Sequence, residues 1–268
     1  MLENVKNASV MITSGELDYI CFGSGSRIFV MLPGLGDSLR SFKGTALAMA
    51  ALYREFTKDF TVYAFSRVSG MPEGYSIRDM ARDQAEAMEQ LGIEKANVLG
   101  VSMGGMIAQH LAIDYPEKVN KLILAVTAAR ANPILTESIE EWVTLAQKGD
   151  HGAFMESNMR RIYSQEYYQK NKWMIPAIGK LTKPKSYDRF YIQADACLRH
   201  NAYDCLDKIK APTLVVGGEK DLALGGEASR EIASRIPNAQ LRMYSQWGHG
   251  LYDEEKGFNQ LVKEFMLK

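Results

Sequence analysis

The strongest candidate for chemistry in this chain is a serine between two glycines. Residues 100–105 read Gly-Val-Ser-Met-Gly-Gly, which fits the pattern Gly-x-Ser-x-Gly around Ser102. An apolar run precedes the serine and a helical pattern follows it, which places the motif at a sharp strand-to-helix turn. The glycines keep that turn free of side chains, and the start of a helix favours negative charge near the hydroxyl. We therefore predict that Ser102 is a nucleophile.

A serine hydroxyl is a weak nucleophile and needs a neighbouring base. The chain has 4 histidines. His110 lies in the predicted helix after the serine, and His151 and His200 lie in a long helical segment. His249 lies in a glycine-flanked loop after the last predicted strand, at the edge of a parallel sheet where binding sites form. His249 is therefore the predicted general base.

The base in turn needs a carboxylate that holds its imidazole in one tautomer. Asp221 follows the apolar run 213–217 by a short glycine-rich turn, and Glu219 in the same turn is the alternative. The order along the chain is then Ser102, Asp221 and His249, which is the order nucleophile, acid and histidine. We predict that Asp221 orients His249.

Attack on a carbonyl group creates a negative oxygen that two backbone N–H groups can stabilise. One donor is expected from Met103, directly after the serine. The other is expected from Leu35, in the Pro-Gly-Leu-Gly loop of residues 33–36. Both are main-chain groups, so their side chains are only loosely constrained.

These residues need a scaffold, and apolar runs that alternate with helical patterns supply one. A hairpin is predicted over 9–22, strands at 27–32, 61–65, 97–101, 121–126, 213–217 and 240–244, and helices at 39–57, 76–91, 103–115, 228–235 and 254–267. Strands that alternate with helices predict an α/β fold, with a mostly parallel sheet and helices on both faces.

Residues 131–205 interrupt this alternation, because they show helical spacing and no strong strand signal. We predict that residues 1–130 and 206–268 form the α/β core and that 131–205 form an inserted helical cap. Its many large side chains indicate an apolar lid over the serine.

Four side chains of the predicted cap are candidates for substrate contact, and packing among the helices is the alternative for each. They are Trp142, Met155, Met159 and Tyr163. Ser66 and Arg67 follow a strand at the same edge of the sheet and could also reach the pocket. We interpret these two as polar surface side chains.

Composition and charge limit the classes of partner that the protein can be expected to bind. The chain has 268 residues, with 32 basic and 32 acidic side chains and no block of like charge, so nothing indicates a nucleic-acid or anionic-membrane surface. No apolar run is long enough to span a bilayer. The 3 cysteines have no close pairing and are expected to be reduced, which favours a cytoplasmic protein. The expected partner is a small-molecule substrate, and both a monomer and a homo-oligomer stay open. No metal or organic cofactor is predicted.

The chain resembles the α/β-hydrolase superfamily, and most of all its small bacterial esterases and lactonases, including enol-lactonase-like and cofactor-free haloperoxidase-like members. The residues that carry the resemblance are the loop 34–36, the motif 100–106, the strand 212–217 with Asp221, and Gly248 with His249. The resemblance implies an eight-stranded sheet and a helical cap after the sixth strand.

Position 33 and position 102 help to indicate which subfamily the chain resembles. Relatives usually carry His-Gly where this chain has Pro33-Gly34, a change that keeps the amide donor of Leu35. Haloalkane dehalogenases and epoxide hydrolases that resemble this chain use an aspartate at the nucleophile position. The serine at 102 argues against both of those activities.

The predicted function is that of a serine hydrolase acting on a small ester, thioester or lactone through an acyl-enzyme. Three alternatives stay open. A carbon–carbon bond hydrolase acting on a vinylogous ketoacid and a perhydrolase would both use the same triad. A ligand-binding protein with little turnover could also use this fold, because a fold does not fix a function.

Overall fold

The computed structural model describes residues 3–268, in which eight strands form one sheet. The strands are β1 (Lys6–Ile12), β2 (Gly15–Phe22), β3 (Arg27–Leu32), β4 (Phe60–Val68), β5 (Ala96–Val101), β6 (Val119–Ala125), β7 (Thr213–Gly218) and β8 (Gln240–Tyr244). Their order in space is β1-β2-β4-β3-β5-β6-β7-β8. The predicted hairpin and the predicted mostly parallel sheet are both confirmed.

The directions of the strands indicate which end of the sheet can form a binding crevice. β1 pairs antiparallel with β2, and β2 antiparallel with β4, whereas the pairs from β4 to β8 are all parallel. The chain steps from β3 to β4 on one side and then returns to β5 on the other side of β3. Such a reversal opens a crevice at the carboxyl ends of β3 and β5. The loop 33–36 and Ser102 follow these two strands.

Eleven α-helices lie in the described residues. They are α1 (Ala46–Leu52), α2 (Ile77–Gln90), α3 (Met103–Asp114), α4 (Pro133–Gln147), α5 (His151–Ile162), α6 (Gln165–Asn171), α7 (Ile175–Thr182), α8 (Asp188–Leu198), α9 (Glu227–Arg235), α10 (Leu251–Glu254) and α11 (Phe258–Leu267). Helices α4 to α8 lie between β6 and β7. The division into a core and a separate cap over 131–205 remains a prediction.

Two apolar cores lie on the two faces of the sheet, because successive side chains of a strand point to opposite faces. Along β3, Val30 and Leu32 pack in the core that holds α2 and α3. Phe29 and Met31 pack in the other core, with α1 and α11. Both faces of the central strands are therefore covered, as expected for parallel strands between helices.

Two helices differ from the sequence prediction. The helix predicted over 39–57 is restricted to α1, and Gly44 before it adopts a φ of +96°, which lies outside helical geometry. The helix predicted over 254–267 begins only at Phe258, as α11, and the separate short helix α10 ends at Glu254 before a break at Glu255. The Glu255 carboxylate accepts hydrogen bonds from Gly257 N–H at 2.9 Å and from Trp247 Nε1 at 2.7 Å, which holds the break.

Candidate active site

Ser102 lies at the sharp turn between β5 and α3. Its φ of +53° and ψ of −123° are uncommon for a residue with a side chain. The Ser102 N–H donates to the Ala125 carbonyl at 2.9 Å, which ties the turn to the end of β6. Strained backbone of this kind is typical of functional sites.

The two glycines of the motif are required by packing. A Cβ at Gly100 would lie 2.4 Å from the Gly104 carbonyl oxygen, and a Cβ at Gly104 would lie 2.0 Å from that of Leu32. Both distances are too short for any side chain. The sequence pattern therefore reflects the close approach of β5, α3 and the end of β3.

His249 and Asp221 form a buried pair at the ends of the neighbouring strands β7 and β8. His249 Nδ1 lies 2.8 Å from Asp221 Oδ2, and their side chains are 5% and 2% exposed. The other carboxylate oxygen, Oδ1, accepts hydrogen bonds from the N–H groups of Ala223 at 2.8 Å and Leu224 at 3.0 Å. The carboxylate is therefore fixed in its plane by groups other than the histidine.

Glu219, the alternative acid, lies elsewhere. Its carboxylate pairs with Arg230 of α9, and its side chain is 34% exposed. Lys220 N–H donates to the Trp247 carbonyl at 3.0 Å, which joins the two loops and brings Asp221 to His249. The geometry of this turn thus distinguishes two acids that are only two residues apart.

Ser102 and His249 line the same cavity, together with Gly34 and Leu35. No hydrogen bond joins the Ser102 hydroxyl to His249 among the described residues. Gly34 lies against the serine, because a Cβ there would be 3.3 Å from Ser102 Cβ. The structure therefore places the serine, the histidine and the loop 33–36 around one space.

The N–H groups of Leu35 and Met103 are both available to a ligand. Each residue is the first of its helix, Leu35 in a 3-10 turn and Met103 in α3, so its N–H has no partner within the helix. Neither group donates to another acceptor in the part of the chain that the structure describes. Both residues border a small cavity that also contacts Ser102 and His249.

The cavity that Ser102 and His249 line has a volume of about 420 Å³ and mostly apolar walls. Its large side chains come from both sides of the sheet edge: Leu39, Phe42, Met49, Tyr53 and Tyr252 from the α/β part, and Trp142, Phe154, Met155, Ile162 and Phe190 from α4, α5 and α8. Polar groups on the wall include Arg40, Asn158 and Thr182. The space suits a small, largely apolar ligand.

Two of the four predicted contact residues do not line this cavity. Trp142 and Met155 do, whereas Met159 and Tyr163 do not. The Tyr163 ring stacks on Tyr167 with centroids 4.3 Å apart, and its hydroxyl donates to Asp253 at 2.9 Å. The residues of α5 that face the cavity follow helical spacing through 154, 155, 158 and 162, and Met159 lies beside that stripe.

The interpretation of Ser66 and Arg67 as surface residues is wrong. The two residues are 0% and 2% exposed, and they lie inside the described strand β4 rather than after it. A signal was present in the sequence, because these are polar residues at the end of an otherwise apolar run. Their partners, Asp37 and Arg189, are far away in sequence and could not be found from it.

The other three histidines lie outside the serine, aspartate and histidine cluster. The rings of His110 and His200 contact edge to face, with centroids 5.3 Å apart. Burial lowers the pKa of His200 to about 3. The His151 ring stacks on Phe154, and its Nδ1 lies 2.6 Å from the Tyr187 hydroxyl.

Within residues 3–268, no group of three or more His, Cys, Asp or Glu side chains is placed to hold a metal ion. In the same residues, no helix combines the length and the apolar character needed to cross a membrane.

Comparison with known proteins identifies the family. A family model described as alpha/beta hydrolase fold matches residues 27–256, so the chain belongs to the alpha/beta hydrolase family. The predicted family and fold class are confirmed, and the chain is a member of a hydrolase family.

The individual relatives share only about a quarter of their residues with this chain. A Caulobacter segnis protein named "Putative carbamate hydrolase RutD" is 24% identical, over 95% of this chain and 99% of that protein. A Pseudomonas 2-hydroxy-6-oxononadienedioate/2-hydroxy-6-oxononatrienedioate hydrolase is 26% identical, over 96% and 95%. The crystal structure of the enol-lactonase from Burkholderia xenovorans LB400 is similar, with a TM-score of 0.81 and 22% identity over 97% of this chain and all of that one.

Proposed function

We propose that this protein is a serine hydrolase that cleaves a small carboxylic ester, thioester or lactone. Ser102 is the nucleophile, His249 the general base and Asp221 the acid that orients it. The observation that carries the proposal is the buried His249–Asp221 pair, which borders the same cavity as a serine on a strained strand-to-helix turn.

The contacts of Asp221 support the tautomer of His249 that the proposal needs. A carboxylate accepts hydrogen bonds only, so Nδ1 carries the proton and Nε2 is left free to take the proton of Ser102. The Ser102 oxygen then attacks the carbonyl carbon, and the carbonyl oxygen takes up the negative charge. The N–H groups of Leu35 and Met103 supply hydrogen bonds to that oxygen.

Collapse of the tetrahedral intermediate breaks the carbonyl bond to the leaving group, which receives the proton held by His249. The acyl group remains on Ser102. A water molecule that gives its proton to His249 then attacks the ester, and Ser102 leaves with that proton as the free acid forms. A lactone follows the same steps, and its alcohol and acid are released as one molecule.

The cavity walls bear on the substrate class. Trp142, Phe154 and Phe190 supply apolar surface, and the volume of about 420 Å³ suits a small molecule. We propose an uncharged acyl group of moderate length.

Cleavage of a carbon–carbon bond is the second candidate, and the name of the Pseudomonas relative favours it. A vinylogous ketoacid would use the same serine and histidine. Analysis of products separates the candidates, because ester hydrolysis yields an acid and an alcohol, whereas carbon–carbon cleavage yields an acid and a carbon fragment without a new hydroxyl.

A fluorophosphonate tests the proposed nucleophile. We expect one covalent adduct in the intact mass of the wild-type protein and none on Ser102→Ala. That variant should fold normally and lose roughly five orders of magnitude or more in kcat on ester substrates. Ser186→Ala is the matched control, because Ser186 is exposed and its hydroxyl oxygen accepts one hydrogen bond, from the Asp188 N–H at the start of α8 at 3.0 Å. An adduct that persists on Ser102→Ala would overturn the assignment.

A further inference from the structure

A cluster of buried charges lies directly behind the loop 33–36. Asp37 follows this loop, and its carboxylate accepts hydrogen bonds from Ser66 Oγ at 2.7 Å and Arg189 Nη2 at 2.9 Å. Arg67 Nη1 lies 3.5 Å from the same carboxylate. Three separate parts of the chain therefore meet behind the loop: its own 3-10 turn, strand β4 and helix α8.

The same cluster holds the backbone of the loop at both ends. Arg67 Nη2 donates to the Pro33 carbonyl, and Arg189 Nη1 donates to the Asp37 carbonyl at 2.6 Å. Between these points, the Leu35 carbonyl accepts from Ser38 Oγ at 2.5 Å. The two arginines are thus the anchors that come from outside the loop.

A backbone hydrogen bond within the turn fixes the peptide group that carries the Leu35 N–H. The Gly34 carbonyl belongs to that peptide, and it accepts from the Asp37 N–H at 3.3 Å. The peptide is planar and trans, so a fixed carbonyl also fixes the direction of the N–H on its opposite side. The position of Asp37 therefore sets the direction in which the Leu35 N–H points.

The charges of this cluster are not balanced in number, which argues against a role in stability alone. Arg67 and Arg189 face the single carboxylate of Asp37, and Nε and Nη1 of Arg67 have no hydrogen-bond partner among the described residues. A buried cation with unpaired donors costs folding free energy. Burial lowers the pKa of Arg67, and Asp37 opposes that shift.

We propose that Arg67, Asp37 and Arg189 are positioning residues that hold the Leu35 N–H in the direction needed by the negative oxygen of the transition state. The inference rests on the proposed function, since it assigns these residues to the oxyanion site of Ser102. Helix α8 then also helps to position the oxyanion site, because its residue Arg189 donates a hydrogen bond to the Asp37 carbonyl.

The proposal also explains how a loop that begins with a proline is held. Proline has no N–H, so its carbonyl is its one backbone hydrogen-bonding group. In this chain that carbonyl is held by Arg67.

Arg67→Met is the first test. It removes the bond to Pro33 and leaves Asp37 paired with Arg189, so the remaining cluster is neutral and the protein should fold. With p-nitrophenyl butyrate as the probe, we expect kcat to fall about 10- to 100-fold, because one oxyanion donor is displaced. The KM should stay within about twofold, since the cavity walls are unchanged.

A boronic acid gives a readout that a loss of stability would not produce. It forms a tetrahedral adduct with an active serine and places an oxygen at the oxyanion site. We expect its inhibition constant to rise by about the same factor as kcat falls, while the KM for the ester stays constant. A fall in kcat with an unchanged inhibition constant would overturn the proposal.

Arg189→Met, with Arg189→Lys beside it, provides the second test, because Arg189 is partly exposed and its loss leaves the pair of Arg67 and Asp37. We expect the same pattern for Met and partial recovery for Lys, which retains one donor. Arg199→Met is the matched control, since Arg199 at the end of α8 pairs only with exposed Asp195.

The controls separate the two proposals. Full activity in Arg67→Met and Arg189→Met, together with loss of labelling in Ser102→Ala, would refute the positioning role and leave the serine hydrolase intact. Labelling that persists in Ser102→Ala would refute the proposed function itself. Equal losses in the arginine variants and in Arg199→Met would also overturn the positioning role.

Discussion

The edge of the sheet and the helices above it differ in how far the sequence predicts their functional side chains. At the edge, Ser102, Asp221 and His249 each follow a strand by a short turn, and glycines mark those turns. In α4 to α8 the sequence shows helical spacing, but the side chains that face the cavity depend on how each helix is rotated. A sequence motif predicts a local turn, whereas the face of a helix that lines the cavity depends on the elements packed against that helix.

After Ser102→Ala, the largest effect at the edge of the sheet is expected from Asp221→Asn. The new amide oxygen must accept from the N–H groups of Ala223 and Leu224, so its NH₂ group faces His249 Nδ1. The histidine would then carry its proton on Nε2 and could not accept the proton of Ser102. We expect kcat to fall by about three to four orders of magnitude, measured by steady-state ester hydrolysis.

Glu219→Gln is the control for this variant, because Glu219 pairs with Arg230 away from the cavity. Its kcat should stay within about twofold of the wild-type value, as is usual for partly exposed ion pairs. Wild-type activity in Asp221→Asn, or a large loss in Glu219→Gln, would show that the acid has been assigned to the wrong residue.

A smaller effect is expected in the helices from Met155→Ala, with Met159→Ala as its matched control. The two residues have the same type and lie one turn apart on α5, but only Met155 lines the cavity. Loss of the Met155 side chain enlarges the cavity, so kcat/KM should shift about fivefold toward p-nitrophenyl octanoate relative to the acetate. Met159→Ala should leave this ratio unchanged, and equal shifts in both variants would contradict the described rotation of α5.

An effect on stability is expected at a contact between the two regions. His200 follows α8 and packs against His110 of α3, and neither of its ring nitrogens has a hydrogen-bond partner among the residues described. Burial lowers its pKa from 6.5 to about 3, so the unfolded chain binds this proton more readily than the folded chain. The stability linked to His200 is therefore complete above pH 6.5 and is lost as the pH falls toward 3.

His200→Phe removes this dependence while it keeps a ring in the contact. Between pH 7 and pH 5 the free energy of unfolding of the wild type should fall by about 2 kcal/mol more than that of the variant. Urea unfolding at both pH values measures the difference. Parallel losses would mean that His200 does not stay neutral in the folded protein.

The tertiary structure also shows how the two regions are joined. Gly250, next to His249, donates its N–H to the carbonyl of Ile162 at the end of α5, at 2.6 Å. Arg189 of α8 holds the loop after β3. The helices are therefore hydrogen-bonded to two of the loops that form the candidate site.

The sequence by itself determined the features that depend on neighbouring residues. Gly100 and Gly104 around Ser102 predict the turn, because only glycine allows the backbone to come this close. The alternation of strands and helices predicts the sheet, and the family resemblance built on these motifs is confirmed by the match over residues 27–256. Each of these signals lies within a few residues of the structure it specifies.

Only the tertiary structure decided the contacts between distant parts of the chain. Asp221 and Glu219 have similar local sequence, and the neighbouring loop of β8 decides which one meets His249. Ser66 and Arg67 look like surface residues until Asp37 and Arg189 are brought to them from other elements. Charge pairing, burial and helix rotation depend on distances in space, and a single sequence records only the distances along the chain.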